Sequence, residues 1–449
     1  MMDKLFGLSD NKTTVRIEVM AGLTTFLTMA YIIFLQPAVL STDFAGNPTG
    51  LDAGAVLLAT CVISAASTMA MGLFAKYPIA LAPGMGENFF FVSVIMALSA
   101  KGIDSAWQVA LGIVFISGII FVFLSVLRVR EAILNAVSPS MKSGIATGIG
   151  LFIAFIGFQK GGLIVAKPGT LLGLNTDLLG TEAAKDVSVF LLGLLVAAGL
   201  RARRMRGAIL WGILSAACLA LFLGKIRYTG ILGFPEIKES AIFKMDIRSA
   251  LSLTCLPFIV VFVFMDMFDT VGTLVGVAEQ AGFMKKNKLP RANQVLMIDA
   301  AGTVAGACMG TSTITSYIES AAGVAYGGRT GLTSVTVGIL FLVALVFSPL
   351  VGMIGNYPPV TACALVIVGS MMMKNTSRID WHDHSESIPA FLIAIGIPLT
   401  YSIADGLALG FIAYPVIKLI SGKWRTMNWL MALLAVILLV YFLAIRIRM

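Results

Sequence analysis

The sequence predicts an all-α polytopic membrane protein: fourteen transmembrane segments arranged as a 7+7 inverted repeat. Three observations predict it. The 449-residue chain is 58% hydrophobic and only 12% charged, with a mean hydropathy of +0.94, whereas soluble domains hold about 45–50% apolar and about 25% charged residues. Its apolar runs fall into two sets of seven. One run in each set is interrupted, at corresponding places, by Pro, Gly or hydroxyl residues. A helical span needs about 20 apolar residues, so the chain has room for a dozen or more crossings, which excludes a single-pass receptor and a monotopic enzyme. Helix is the default for each span because backbone facing lipid must satisfy its own hydrogen bonds. The 45 glycines among the apolar runs allow close approach or breakage of helices.

The first set of runs lies near residues 18–41, 54–75, 79–99, 107–127, 137–158, 187–201 and 207–224. The second lies near 251–279, 292–308, 312–326, 332–354, 358–373, 387–402 and 404–420. The first run holds Thr24, Thr25, Thr28, Gln36 and Pro37 and lacks a cleavable signal pattern, so it reads as a mature first span. FLLGLLVAAGLRARRMRGAILWGIL from Phe190 resembles FLIAIGIPLTYSIADGLALGFIAY from Phe391. AVSPSMKSGIATGIGLFIAFIGF from Ala136 likewise resembles NYPPVTACALVIVGSMM from Asn356. Seven is odd, so two such halves enter the membrane from opposite sides. With residues 1–17 as a cytoplasmic N-terminus, most Lys and Arg then fall on the inner face, including Arg128, Arg130, Arg201, Arg203, Arg204, Arg206, Lys285, Lys286 and Lys288. The run from Trp429 would strand Arg446 and Arg448 outside if it crossed, so it reads as an interfacial or packed helix.

The formal charge of +9, from 32 basic and 23 acidic residues, therefore marks topology rather than a nucleic-acid partner. Cys61, Cys218, Cys255, Cys308 and Cys363 lie in or beside apolar runs without CxxC spacing and read as packing thiols. His382 and His384 sit in the polar WHDHSES stretch, a surface loop rather than a metal site. No metal and no cofactor are expected.

Five acids fall inside the spans: Glu87, Asp266, Asp269, Asp299 and Glu319. Each costs about 2.5–3.5 kcal/mol or more at bilayer depth if ionised and unpaired, and no Lys or Arg lies at matching depth. They must be protonated, share hydrogen bonds or meet a cation from outside the chain, and a transported proton or Na+ fits. Helix–helix glue explains any one acid more readily than five clustered about two breaks. Asp266, Asp269 and Thr273 stand at i, i+3 and i+7, on one helical face. In APGMGENFFF, Pro83, Gly84 and Gly86 break the helical ladder; in GTSTITSYIES, the run Thr311, Ser312, Thr313 favours extended backbone before a helix N-terminus. Such breaks at matched places in two halves point to a midplane ligand site. Glu87 and Asn88 follow the first break, Tyr317 and Glu319 the second, and of the triplet Phe89, Phe90, Phe91 at most one or two rings can face a ligand. Carboxylates, an amide, amides near Gly84, Gly86 and Ser312, and an aromatic face suit a flat heteroaromatic ring bearing N–H groups.

AGLTTFLTMAYI, LAPGMGENFFF, DMFDTVGTL, DAAGTVAGACMGTSTITSYIESAAGVAYGGRTGLT and ESIPAFLIAIGIPLTYSIADGLALGFIAY together resemble the AzgA-type purine permeases of the nucleobase-ascorbate transporter superfamily. The resemblance implies a core domain over 18–127 and 249–355 and a gate domain over 128–248 and 356–422, with 423–449 a C-terminal hydrophobic segment. It implies short antiparallel strands at the starts of the third and tenth spans, with the base between them. By position it makes Asp269 the eighth-span substrate carboxylate, Glu319 the tenth-span one and Asn88 the third-span amide. Gly84, Gly86, Ser312, Phe89 and Thr273 border the site, and Asp269, Glu319, Glu87, Asp266 and Asp299 are the candidates for proton coupling. Two departures stand out. Family members often carry an apolar residue where this chain has Glu87, and uracil permeases of the superfamily carry a His where it has Thr273.

The expected function is import of purine nucleobases, hypoxanthine and guanine slightly ahead of adenine, by proton symport (Na+ as the alternative ion) and alternating access. The expected setting is the cell membrane, with gate-mediated homodimers. A sulfate- or bicarbonate-type anion transporter of the same fold would want a cation or bare amides at the tenth-span break rather than Glu319; a uracil or xanthine permease is a nearer alternative. A membrane metalloprotease is disfavoured because no HExxH occurs.

Overall fold

The computed structural model describes residues 2–126, 137–167, 169–176, 182–281, 283 and 290–443. Arg128, Arg130, Lys285, Lys286, Lys288, Arg446, Arg448 and the expected boundary at 128 lie outside these residues. Side-chain caps set where many of the helices begin, since first-turn amides have no intrahelical acceptor. Thr14 accepts from Ile17 N–H ahead of α1 (Val15–Met29), which continues through Ala30 into α2 (Tyr31–Leu40). Asp52 does the same for α3 (Ala53–Ala70). A π turn, Met71–Ala75, ends α3, and Lys76 takes a left-handed φ of 57° that turns the chain out of the helix. Extended backbone follows as β1 (Leu81–Pro83), then α4 (Met85–Ser99) and α5 (Ala106–Val126). Ser138 caps α6 (Pro139–Lys160), with Pro139 at a position that needs no N–H. A hairpin of β2 (Ile164–Lys167) and β3 (Leu171–Leu174) occupies part of the connection to α7 (Glu182–Ala202) and α8 (Ala208–Phe222).

The second half repeats the plan. After α9 (Leu256–Ala281) and α10 (Ala292–Met309), Gly310 adopts φ 94° and ends the helix. Then come β4 (Ile314–Ser316), the short α11 (Ser320–Tyr326), α12 (Gly331–Ala344) and α13 (Ser348–Gly355). The chain closes with α14 (Pro358–Met372), α15 (His384–Thr400), α16 (Ile403–Ile420) and α17 (Trp429–Tyr441). Among the described residues, seven helices are long and apolar enough to cross a membrane. Shorter apolar helices, among them α4, α8 and α12, stand where further spans were expected. Two of the expected spans, the third and the tenth, are part strand and part half-helix.

α3 packs along α12, α1 along α11 and α12, and α5 along α10; α6 packs along α14 and α15, α7 along α8 and α14, and α15 along α16. Helices from 15–126 and 256–344 therefore pair mainly with one another, as do those from 139–222 and 358–420. The α3–α12 crossing is backbone on backbone: a Cβ on Gly331 would sit 1.8 Å from the Gly72 carbonyl oxygen, so only glycine fits. Phe123, Leu195, Leu253 and Leu399 are exposed on the outside, as befits a surface solvated by lipid. α17 turns Met431, Leu434 and Leu438 inward and leaves Trp429, Leu433 and Val436 exposed, a packed helix along α16 and α9. Among the described residues one cation is buried, Lys418 toward the end of α16, 2.7 Å from Glu386.

Candidate functional site

β1 and β4 pair antiparallel, Leu81 opposite Ser316, Ala82 opposite Thr315 and Pro83 opposite Ile314. Gly84 N–H donates to Thr313 O at 3.1 Å and Tyr317 N–H to Ala80 O at 2.9 Å, extending the ladder at both ends. A threonine on the preceding helix secures each strand. Thr68 Oγ1 accepts from Leu81 N–H and donates to Leu81 O, each at 2.9 Å. Thr303 Oγ1 accepts from Ile314 N–H at 3.0 Å and lies 3.1 Å from Ile314 O. Strands of three residues are not stable alone, and non-helical backbone at membrane depth persists only where protein supplies the partners. The two halves supply them by the same device, which is the inverted repeat expressed in hydrogen bonds.

The acids gather around this pair. Glu319 sits at the start of α11, directly after β4, and Tyr31 Oη donates to its Oε1 at 2.8 Å. Asp269, on α9, lies beside the Thr315 hydroxyl of β4. Glu87 is buried in the first turn of α4, its carboxylate lying over Gly84: a Cβ there would stand 2.1 Å from Glu87 Oε2. Asp299 and Asp266 form a layer behind, Thr270 donating to Asp299 Oδ2 at 2.8 Å and Thr303 Oγ1 lying 3.2 Å from Asp266 Oδ2. Tyr317 Oη donates to Pro83 O at 2.5 Å, tying the second break to the first.

Asn88, on α4, forms a reciprocal amide pair with Gln36. Gln36 Nε2 lies 3.0 Å from Asn88 Oδ1 and 3.0 Å from Thr311 Oγ1, and 3.3 Å from Ser312 Oγ. Asn88 Nδ2 donates to Gln36 Oε1, and Ser312 Oγ donates to Asn88 Oδ1. All four side chains are fully buried, so the network fixes both broken segments to α2.

The other expected site residues have surroundings of their own. The Gly84 N–H is engaged by Thr313, leaving the Met85 and Gly86 amides as first-turn donors. Gly86 packs against Ile149. Phe89 joins a cluster with Phe44 at 6.3 Å and Phe152 at 6.2 Å between ring centroids, and Tyr401 packs on both partners. Thr273 is buried on α9 one turn after Asp269. Sequence reasoning missed Tyr31, Gln36 as a site residue, Thr315 and Glu18. Gln36 was visible as an amide beside Pro37 in an apolar run. Glu18, fully buried, accepts from Arg329 N–H at 2.9 Å, Thr330 N–H at 3.2 Å and Thr333 Oγ1 at 2.5 Å. Among the described residues no three His, Cys, Asp or Glu side chains are grouped to hold a metal ion.

Buried carboxylates and an amide network gather at two matched helix breaks among apolar helices, and the chain is a multi-pass permease, a transporter and not an enzyme. The chain belongs to the permease family denoted Xan_ur_permease, whose profile matches residues 16–409. It is 42% identical to guanine/hypoxanthine permease PbuG of Bacillus subtilis, over 99% of this chain and 100% of that protein. It is 40% identical to adenine permease AdeQ of Escherichia coli, over 95% of this chain and 93% of that protein. The transmembrane domain of the cyanobacterial bicarbonate transporter BicA superposes with a TM-score of 0.65 at 17% identity, covering 88% of this chain and 96% of that one; that likeness shows a shared fold.

Proposed function

We propose that this permease imports purine nucleobases, hypoxanthine and guanine ahead of adenine, by proton symport through alternating access. The observation that carries the reading is the placement of Asp269 and Glu319 beside one strand, Glu319 held by the Tyr31 hydroxyl and Asp269 next to Thr315. The names of the relatives, guanine/hypoxanthine and adenine permeases, support the substrate class. Guanine and hypoxanthine carry an N1–H donor for a carboxylate, whereas adenine carries an N1 acceptor, so two carboxylates favour the oxopurines. In this reading Glu319 accepts from ring or exocyclic N–H groups. Asp269 accepts from the opposite edge or carries the proton, and Asn88 reads a carbonyl or ring nitrogen by exchanging it for Gln36. Glu87, Asp266 and Asp299 relay or share the proton.

The two packing groups serve as core (18–127 and 249–355) and gate (128–248 and 356–422) in fourteen spans, with the N-terminus cytoplasmic in the cell membrane and gate-to-gate homodimers. Glu319 at the tenth-span break disfavours an anion substrate despite the fold shared with BicA. Uptake of labelled hypoxanthine, guanine, adenine, xanthine and uracil, with and without a protonophore, tests the reading. Proton-dependent purine uptake that fails in Asp269→Asn and Glu319→Gln at normal surface expression supports it. No purine uptake, or uptake indifferent to proton and sodium gradients, sinks it.

A further inference from the structure

A cavity of about 270 Å³ opens beside Glu319. Thr28 and Ile318 line it with the carboxylate, as do Arg201 at the end of α7, Met205 in the turn that follows and Ile209 at the start of α8. Arg206 is engaged elsewhere, its guanidinium carbon 4.3 Å from the Tyr326 ring centroid at the end of α11. Among the described residues lining the cavity, Arg201 is the cation that shares it with Glu319. A basic residue in the last turn of a helix is also favoured by the helix dipole and by a cytoplasmic location, but neither needs the side chain to line a cavity. The volume lies just under the range of drug-sized pockets and suits a bicyclic base. The thioether of Met205 offers a polarizable, adaptable surface to a flat ring.

We propose that this chamber is an exit subsite for the base and that Arg201 makes it selective for 6-oxopurines. The inference rests on the purine reading above and deepens it. A guanine or hypoxanthine whose N1–H faces Glu319 turns its adjacent O6/N7 edge to the other wall. Two acceptors on that edge match the two-pronged donor of a guanidinium, the geometry by which arginine reads guanine in nucleic acids. Adenine carries an amino donor in place of O6, so donor meets donor and the contact is lost. Lysine keeps the charge but not the fork.

The test measures KM for guanine, hypoxanthine, adenine and 7-deazaguanine in wild type, Arg201→Lys and Arg201→Gln at matched surface expression. Both variants should raise KM for guanine and hypoxanthine about tenfold while adenine changes by less than about twofold. 7-Deazaguanine, which lacks the N7 acceptor, should be the poorer substrate in wild type and equal to guanine in Arg201→Gln. An equal loss for all bases, unchanged oxopurine KM, or wild-type protein that does not distinguish guanine from 7-deazaguanine would overturn the proposal. That last comparison needs no variant, so a folding defect does not blunt it. Wild-type protein that moves no purine at all would refute the purine reading instead.

Discussion

Tyr31 on α2 donates its hydroxyl to Glu319 Oε1 at 2.8 Å, fixing the carboxylate at the second helix break from the first span of the chain. A hydrogen bond to a charged acceptor contributes about 1.5–3 kcal/mol, and Phe removes the bond while keeping the ring. Tyr31→Phe should therefore lower kcat/KM for uptake about tenfold or more with unchanged surface expression. Uptake equal to wild type would show that Glu319 keeps its orientation without Tyr31.

The Gln36–Asn88 pair makes a prediction about stability that separates folding from transport. Gln36→Leu leaves the Asn88 amide without the Gln36 carbonyl and takes a donor from Thr311, in a site closed to water, a loss of about 1–3 kcal/mol. The double variant Gln36→Leu/Asn88→Leu removes both halves of the pair, so it should recover part of the thermal stability lost in the single variant, while transport stays low. A double variant less stable than the sum of the singles would contradict the pairing.

How much of this was readable in the sequence depends on the distance over which each feature is determined. The broken helices are local: Pro83 lacks an N–H and the hydroxyl run 311–313 favours extended backbone, so the breaks stood out in sequence. The in-span acids stood out for the same reason, a cost that any one residue incurs alone. The partners that fix them are not local. Tyr31 and Glu319 are 288 positions apart, and Glu18 reaches Thr333 across 315. Glu18 also stands at the first residue of the expected first span, where an acid reads as a solvated boundary; the structure buries it because α1 continues to Val15 and packs on α12. The direction of each ring in the phenylalanine triplet was likewise set by packing, with Phe90 turned to Phe262 at 4.6 Å.

Glu18 serves as a cap in trans. Its carboxylate accepts the Arg329 and Thr330 amides at the start of α12, where the helix dipole also favours negative charge. Arg329 in turn donates to Val324 O at 2.7 Å and Gly328 O at 2.8 Å, closing the end of the half-helix that begins at Glu319. Glu18→Ala should destabilise the protein by about 1–3 kcal/mol and depress transport although it touches no substrate. Glu18→Gln, which keeps one acceptor, should fall between Ala and wild type in a thermal unfolding assay; Gln as damaging as Ala would argue that charge rather than capping matters.

Outside the spans, the Lys423 ammonium 2.9 Å away, together with Ser385, holds the Asp383 carboxyl well below the usual carboxylate range. A folded-state value below the unfolded one, about 3.9, means that the stabilisation is complete above that value and is lost as pH falls through the lower, folded one. The contribution of Asp383 should thus be constant from neutral pH down to about 5 and fade only below about 4. The difference in unfolding temperature between wild type and Asp383→Asn should follow that course. A difference that vanished already between pH 7 and 5 would contradict the assignment.

Thr68 and Thr303 occupy equivalent places in the two halves, each gripping the first residue of a strand through both N–H and C=O. Valine has the same shape without the hydroxyl, so Thr68→Val and Thr303→Val each deprive two buried backbone groups of a partner, at about 1–3 kcal/mol per unsatisfied group. The two effects will differ in kind. Thr68 secures only its strand, while the Thr303 hydroxyl also lies 3.2 Å from Asp266 Oδ2, in the acid layer behind Asp269. Thr68→Val should lower thermal stability and maximal uptake without altering the pH profile of transport. Thr303→Val should lower stability to a similar extent and in addition shift the pH at which uptake is half-maximal, because one of the groups that hold Asp266 has been removed. Identical pH profiles for the two variants would place Asp266 outside the proton-coupling set and leave Asp269, Glu87 and Glu319 to carry it.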